Sequence, residues 1–200
     1  MQQYIRRYRD KLKLNSVATL KHMVKHNLYR EDIPDDQYFF FNVKLDKHGE
    51  PILGVGQCEK NHTNKKVKCS SLTHFNLLLT SVALMSCVEY DGVFAVDGTH
   101  GITRNRFPLD VFGVIDLKGQ LHPIAFMITS FETVYDFDHL YSGLIELAQL
   151  LDYNFDPCFI MQDAATASAT SAKKHFPNVK NLMCFFHVMQ NVSILYINSN

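Results

Sequence analysis

Two aspartates, each closing a strand-like run, are the residues of this sequence best suited to bind a metal ion. Asp97 follows Val93–Val96, and Asp163 follows Phe159–Gln162. A carboxylate at the end of an apolar run is a poor core residue but a good ligand for a divalent cation. We therefore expect the two carboxylates to share one ion. The alternatives are a turn carboxylate for Asp97 and a helix N-cap for Asp163.

A second group of residues contains cysteine and histidine. Cys184 and His187 form a C-x-x-H pair where a strand is expected to pass into a helix. Zinc would need two more ligands of similar character, and His175 is the nearest candidate. A packed cysteine with a hydrogen-bonded histidine is the alternative. Glu132 and Asp136 precede the strongest predicted helix, and capping of that helix is the simplest role for them.

The second half of the chain predicts elements in the order β-β-β-α-β-α-β-α, hence an α/β fold. The strands are expected over Gly92–Asp97, Leu109–Ile115, Leu121–Thr129, Cys158–Gln162 and Val179–Met183. The helices are expected from Phe137 to Leu151 with Asp136 as its cap, from about Thr166 to before Pro177, and from His187 onward. Short turns make the first three strands antiparallel, and the helices between later strands imply parallel crossovers. If the fourth strand lies parallel beside the first, Asp97 and Asp163 emerge together.

The first half of the chain is less regular. It predicts basic helices over residues 4–30, a hairpin of Tyr38–Leu45 with Ile52–Gln57 around a turn at Lys47–Glu50, and an apolar helix over Leu72–Val88. Residues 69–88 carry no formal charge and are long enough to span a bilayer. Hydroxyl and amide side chains interrupt them, so we predict a buried helix and no membrane partner.

Charge is distributed unevenly along a chain whose formal net charge is zero. Residues 1–90 hold 14 Lys and Arg against 9 Asp and Glu, whereas residues 91–200 hold 6 against 11. A basic segment next to an acidic domain that needs a metal ion is consistent with a protein that binds a polyanion at one site and cleaves it at another. The alternative is that the basic segment is simply a solvent-exposed helix. The candidate contacts to a nucleic-acid backbone are Arg6, Arg7, Arg9, Lys11 and Lys13.

The cysteines favour a reducing compartment. There are five, with no regular spacing and no signal peptide before them. We therefore expect an intracellular protein.

Four motifs in order resemble the transposase domain of Mutator-like elements (MULE). They are residues 93–100 with the sequence VFAVDGTH, residues 104–109 with RNRFPL, Asp163 before an alanine-rich helix ending His175-Phe176-Pro177, and residues 184–187 with CFFH. The resemblance covers about residues 90–195. It implies an RNase H-like mixed sheet flanked by helices, with an N-terminal helical and hairpin extension. It also implies a domain boundary between residues 88 and 89.

The resemblance assigns roles to matching residues. It implies that Asp97 and Asp163 are the first two acids of a DDE triad that binds two Mg²⁺ or Mn²⁺ ions. Such ions activate an attacking water or 3′-hydroxyl and stabilise the leaving oxygen of a phosphodiester. Cys184 and His187 would support the active site or contact the strand being cut. DNA is the implied partner, the nucleus the implied location, and a homo-oligomer is left open.

One departure from the family pattern limits the expected activity. The third acid of such triads is a glutamate downstream of the C-x-x-H pair, and no Asp or Glu follows His187 in this sequence. We therefore expect a transposase-derived domain whose metal site, and C-terminal end, are incomplete. The alternative is a catalytically inactive, domesticated DNA-binding or transcription-associated protein. A third hypothesis is an RNase H-like enzyme that acts on RNA.

Overall fold

The protein contains one seven-stranded mixed sheet with helices packed on it. The computed structural model describes residues 17–53, 75–101, 107–163 and 166–189. The strand order is β1-β2-β5-β4-β3-β6-β7. The strands are β1 (Phe39–Phe41), β2 (Asn76–Thr80), β3 (Gly92–Thr99), β4 (Leu109–Asp116), β5 (Leu121–Thr129), β6 (Phe159–Gln162) and β7 (Lys180–Met183). The helices are α1 (Val17–His26), α2 (Val82–Met85) with a 3₁₀ turn at Ser86–Glu89, α3 (Val134–Leu150) and α4 (Thr166–His175), and residues 185–189 are also helical.

Strands β3, β4 and β5 form the antiparallel centre of the sheet, as the sequence predicts. β3 and β4 pair along their whole length, from Gly92 beside Asp116 to Thr99 beside Leu109. The turn into β5 is tight because Asp116 Oδ1 accepts the amides of Lys118 and Gln120, while Gly119 adopts a φ of 78°. These three strands therefore form the centre of the seven-stranded sheet.

Two parallel crossovers complete the sheet. The chain leaves β5 through α3 and returns as β6, which lies parallel to β3. It then passes through α4 and returns as β7, parallel to β6. The prediction that the fourth strand of this region lies parallel beside the first is therefore confirmed. The mixed sheet with flanking helices is compatible with an RNase H-like fold.

The predicted helix over Leu72–Val88 is wrong in its first part. Asn76–Thr80 is strand β2, and within the described residues 75–88 only α2 and the 3₁₀ turn after it are helical. β2 pairs antiparallel with β5, placing Leu78 beside Met127. An uncharged apolar run has no period that separates a buried strand from a buried helix, and the strand form is favoured here because β5 offers it a hydrogen-bonding edge.

The predicted hairpin over Tyr38–Gln57 is also corrected. β1 pairs with β2, with Phe40 beside Leu79, and within the described residues the predicted hairpin is limited to an isolated antiparallel bridge between Leu45 and Pro51. The predicted turn is present, because the Ile52 amide donates to the Lys44 carbonyl and Gly49 has a φ of 75°. Residues 54–57 lie outside the described part of the chain.

The main core lies between one face of the sheet and helices α3 and α4. Its members are apolar side chains that alternate along the strands and recur along the inner face of α3, among them Phe94, Val96, Phe112, Val114, Tyr141, Leu144, Ile160 and Ala172. A smaller cluster lies around Val24, Phe40 and Leu77, where α1 covers part of the other face. None of the helices in the described ranges combines the length and apolar character that crossing a bilayer requires.

Candidate active site

Of the two predicted metal-binding aspartates, Asp97 lies near the end of β3, which continues to Thr99, and Asp163 directly follows the parallel strand β6. In the β3–β6 pairing, Ala95 lies beside Met161. The pairing stops there, and Asp163 lies just beyond the end of β6 at Gln162. Carried two residues further, the same register would put Asp163 beside Asp97, on strands about 4.8 Å apart. Both residues are exposed. That the two carboxylates share one cation stays a prediction.

Asp97 lies on the face of the sheet opposite α3 and α4. Phe94 and Val96, which alternate with Asp97 along β3, are 5 % exposed and belong to the main core. Asp97 points the other way, and its side chain is 70 % exposed. A ligand can therefore approach Asp97 without displacing the helices that stabilise the sheet.

The C-x-x-H pair is attached to the same end of the sheet. The Cys184 amide donates to the Gln162 carbonyl at 2.8 Å, which fixes the chain after β7 beside the end of β6. One helical turn later, His187 Nε2 lies 3.9 Å from Asp97 Oδ1. Within the described ranges, the other ring nitrogen, Nδ1, is buried without a hydrogen-bond partner. The structure thus brings His187 to Asp97, although the two are far apart in sequence.

His175 has a different set of contacts. Its Nε2 lies 3.2 Å from Asp138 Oδ1, and the same carboxylate accepts from Ser171 Oγ and Lys174 Nζ, both at 2.6 Å. These contacts join α3 to α4 and hold the pKa of Asp138 below its ordinary value, against the effect of burial. His175 therefore serves helix packing, and the described residues show no zinc site around it.

Asp136 is part of a helix cap, but not at the predicted position. Thr133 is the N-cap of α3, and Asp136 occupies the third helical position of a capping box. The Asp136 carboxylate is fully buried and accepts from the Thr133 amide at 3.0 Å, Thr133 Oγ1 at 2.7 Å, Thr129 Oγ1 at 2.9 Å and Asn76 Nδ2 at 3.2 Å. Asp136 thus ties β2, β5 and α3 together at one point.

Sequence reasoning missed a fifth acid, Asp110. It lies in β4 opposite Gly98 and is only 1 % exposed. A Cβ on Gly98 would lie 2.7 Å from both Asp110 Oδ1 and Glu132 Oε1, so both carboxyl groups sit directly over the glycine that follows Asp97. An aspartate inside the apolar run Leu109–Ile115 was the signal that could have revealed it.

The Asp110 carboxyl group holds its proton at neutral pH. Its pKa is raised to about 8, chiefly by burial. The negative charge of Glu132 and a hydrogen bond with Glu132 are the next largest causes. The charges of Asp136 and Asp163 act in the same direction, which indicates that Asp163 lies near this group. Glu132 Oε2 also lies 3.6 Å from His100 Nε2. Asp110 and Glu132 therefore meet over Gly98 on the core face of the sheet, whereas the Asp97 side chain points to the opposite face.

Comparison with known families agrees with this arrangement. Residues 93–191 match the family model of the MULE transposase domain. This match supports a MULE transposase domain at these residues. The matched region contains Asp97, Asp163, Cys184 and His187, and it accounts for just under half of the chain. No curated protein matches the sequence.

Transposase domains generally use divalent metals, so we asked whether these residues fit such an ion. Carboxylate oxygens are the donors that Mg²⁺ and Mn²⁺ prefer, and Asp97 and Asp163 provide two in register. Asp110 Oδ2 is buried without a hydrogen-bond partner in the described structure. As the side chains stand, however, no three His, Cys, Asp or Glu residues in the described ranges form a group that could hold an ion. Asp97 and Asp163 therefore have the donor chemistry that such an ion prefers, without a closed protein cage around it.

The predicted basic contacts to a nucleic-acid backbone are not among the described residues. Arg6, Arg7, Arg9, Lys11 and Lys13 all lie outside the described residues, so their role in binding DNA stays a prediction.

Proposed function

We propose that this MULE transposase domain processes DNA ends by metal-dependent phosphodiester hydrolysis and strand transfer. The observation that supports the proposal is the parallel pairing of β3 with β6, because Asp97 lies near the end of β3 and Asp163 directly follows β6. Transposase domains bind DNA, and the domain match supports a transposase-derived function.

The residues around the pair would have different roles. Asp97 and Asp163 would hold the ion, and His187, 3.9 Å from Asp97, would keep that carboxylate in position. A bound Mg²⁺ or Mn²⁺ supplies the positive charge that activates the attacking oxygen and stabilises the leaving oxygen. The exposure of both aspartates leaves room for a phosphodiester backbone to reach them.

Titration calorimetry with Mn²⁺ tests the shared ion. Asp97→Asn and Asp163→Asn should each weaken Mn²⁺ binding by at least about tenfold, because each removes one charged ligand. Asp91→Asn is the matched control, since it removes an exposed carboxylate just before β3. Equal affinity in the native chain and both ligand variants would refute the proposal.

A second function is favoured by one observation. The described residues contain no group of three or more metal-ligating side chains, which suits a domain that binds DNA without cutting it. A nicking assay on supercoiled DNA with Mn²⁺ separates the two functions. Nicking that is lost in Asp97→Asn supports the nuclease, whereas intact DNA binding without nicking supports an inactive DNA-binding protein.

A further inference from the structure

Exposed apolar side chains are concentrated where β7 passes into the short helix at residues 185–189. Phe185 is 73 % exposed and Phe186 is 63 % exposed, and the other exposed members of this phenylalanine patch are Leu182, Met183 and Met189. Leaving large apolar side chains in water is costly, and contiguous exposed apolar side chains commonly mark a binding surface. The phenylalanine patch therefore has the character of a surface that binds a ligand.

The patch adjoins the candidate active site. The Phe186 ring meets the His187 ring edge to face, with the ring centres 5.7 Å apart. His187 Nε2 in turn lies 3.9 Å from Asp97 Oδ1. Phe186, His187 and Asp97 thus form a continuous row. A phosphodiester that reaches Asp97 would therefore bring its neighbouring groups to the patch.

The chain that carries the patch is basic. Between Asp163 and Met189 the sequence contains three lysines and no aspartate or glutamate. Lys174 is paired with Asp138, and both Lys173 and Lys180 are exposed. Positive charge attracts the phosphates of a nucleic acid, and exposed aromatic rings stack on its bases. The charge of this part of the chain therefore favours a nucleic acid as the ligand of the patch.

The chemistry of phenylalanine limits the kind of nucleic acid that fits. In a duplex the bases are stacked on one another, and only their edges reach the grooves. A phenylalanine ring offers no hydrogen bond to a base edge, but it stacks well on the face of a base that has left the helix. The patch therefore suits unpaired bases.

We propose that Phe185 and Phe186 bind unpaired bases next to the phosphodiester that reaches Asp97. This proposal rests on the proposed function for the position of that phosphodiester, and it adds the substrate class, which is a DNA end or junction with unpaired bases. The two rings stack on the bases, and Lys180, on the strand that leads into the patch, attracts the DNA backbone. This binding requires no metal ion.

Fluorescence anisotropy with labelled DNA tests the proposal on the full chain, with EDTA present. A duplex that ends in unpaired bases would be compared with a blunt duplex. We expect the native chain to bind the unpaired end more tightly, and Phe185→Ala and Phe186→Ala each to weaken that binding by on the order of tenfold. Both variants should bind the blunt duplex as the native chain does. Tyr90→Ala is the control, because Tyr90 is an exposed aromatic residue at the opposite end of β3 from Asp97.

Two further variants separate stacking from apolar contact. Phe186→Leu keeps an apolar side chain but has no ring, so it should bind the unpaired end as weakly as Phe186→Ala. Phe186→Tyr keeps the ring and should bind as the native chain does. If an alanine variant does not fold, as judged by circular dichroism, these two variants carry the test. A leucine variant that binds as tightly as the native chain would overturn the proposal.

The outcomes separate this proposal from the proposed function. Equal affinity of the native chain and both alanine variants for the unpaired end would refute base binding by the patch. So would a native dimer, seen in sedimentation equilibrium, that becomes a monomer in Phe185→Ala, because the patch would then be an interface between copies of the chain. Mn²⁺ binding by Asp97→Asn is measured without DNA. If it is unchanged while the phenylalanine variants lose affinity, the metal-dependent reaction is refuted and the base-binding surface stands.

Discussion

Replacing Asp110 with asparagine should change how the stability of this protein depends on pH. The pKa of Asp110 is about 8 in the folded protein, against 3.8 for an ordinary aspartate, chiefly because the group is buried. The folded state therefore keeps a proton that the unfolded chain has already released above pH 4. This contribution to stability is fully present below about pH 4 and is lost as the pH rises to about 8. The asparagine side chain of the variant would donate its amide hydrogen to Glu132 at every pH and would not titrate.

The size of the effect follows from the displacement of the pKa. At about 1.4 kcal/mol for each tenfold change in proton affinity, a displacement from 3.8 to about 8 corresponds to on the order of 6 kcal/mol. Two pH values inside that window, such as 5 and 7, differ by two tenfold steps. We therefore expect the stability of Asp110→Asn relative to the native protein to rise by about 3 kcal/mol between them.

Urea unfolding followed by circular dichroism measures this difference. Both proteins would be unfolded at pH 5 and pH 7 with EDTA present, so that no cation contributes. Asp91→Asn is the control, because Asp91 is exposed in the loop before β3. A free-energy difference between Asp110→Asn and the native protein that is the same at both pH values would refute the reasoning.

Three further substitutions test the packing around the site. Asp136→Ala should cost on the order of 3 kcal/mol in urea unfolding, because it leaves the buried donors of Thr133 and its neighbours unpaired; a cost below about 1 kcal/mol would contradict the capping role. Gly143→Ala should lower the melting temperature, since its Cβ would lie 2.8 Å from the Cβ of Asn42 and overpacking costs about 1–3 kcal/mol; a rise in melting temperature would mean that the better helix propensity of alanine dominates. Burial lowers the pKa of His139 to about 4, so native stability should fall as the pH drops from 6.5 toward 4. His139→Gln should lose less stability in urea unfolding over that range, and an equal loss would refute this account.

Local patterns predicted the part of the fold that local interactions determine. β5 was expected at Leu121–Thr129 and is found there, because a tight turn precedes it and a helix with a clear 3.6-residue period follows it. The parallel placement of β6 beside β3 also followed from the order of the elements. Together these two features brought Asp97 and Asp163 to the same end of the sheet.

Contacts between distant parts of the chain account for what the sequence did not reveal. β2 is a strand because it pairs with β5, some fifty residues later, and nothing within Leu72–Val88 signals that partner. Asp110 is a single acid within the apolar run Leu109–Ile115, and nothing in that run signals its partner. Its companion, Glu132, meets it only after β5 has folded back along β4.

The edge of the sheet formed by β1 and β2 has a practical consequence for expressing this protein. Both strands precede the region that the MULE family model covers, yet β2 supplies the hydrogen-bonding neighbour of β5 from Phe126 to Thr129. A fragment trimmed to start at Val93 would leave those main-chain donors and acceptors bare, and a bare edge recruits strands from other molecules. Soluble fragments should therefore begin ahead of Phe39, so that the flanking strands shield the transposase domain from aggregation.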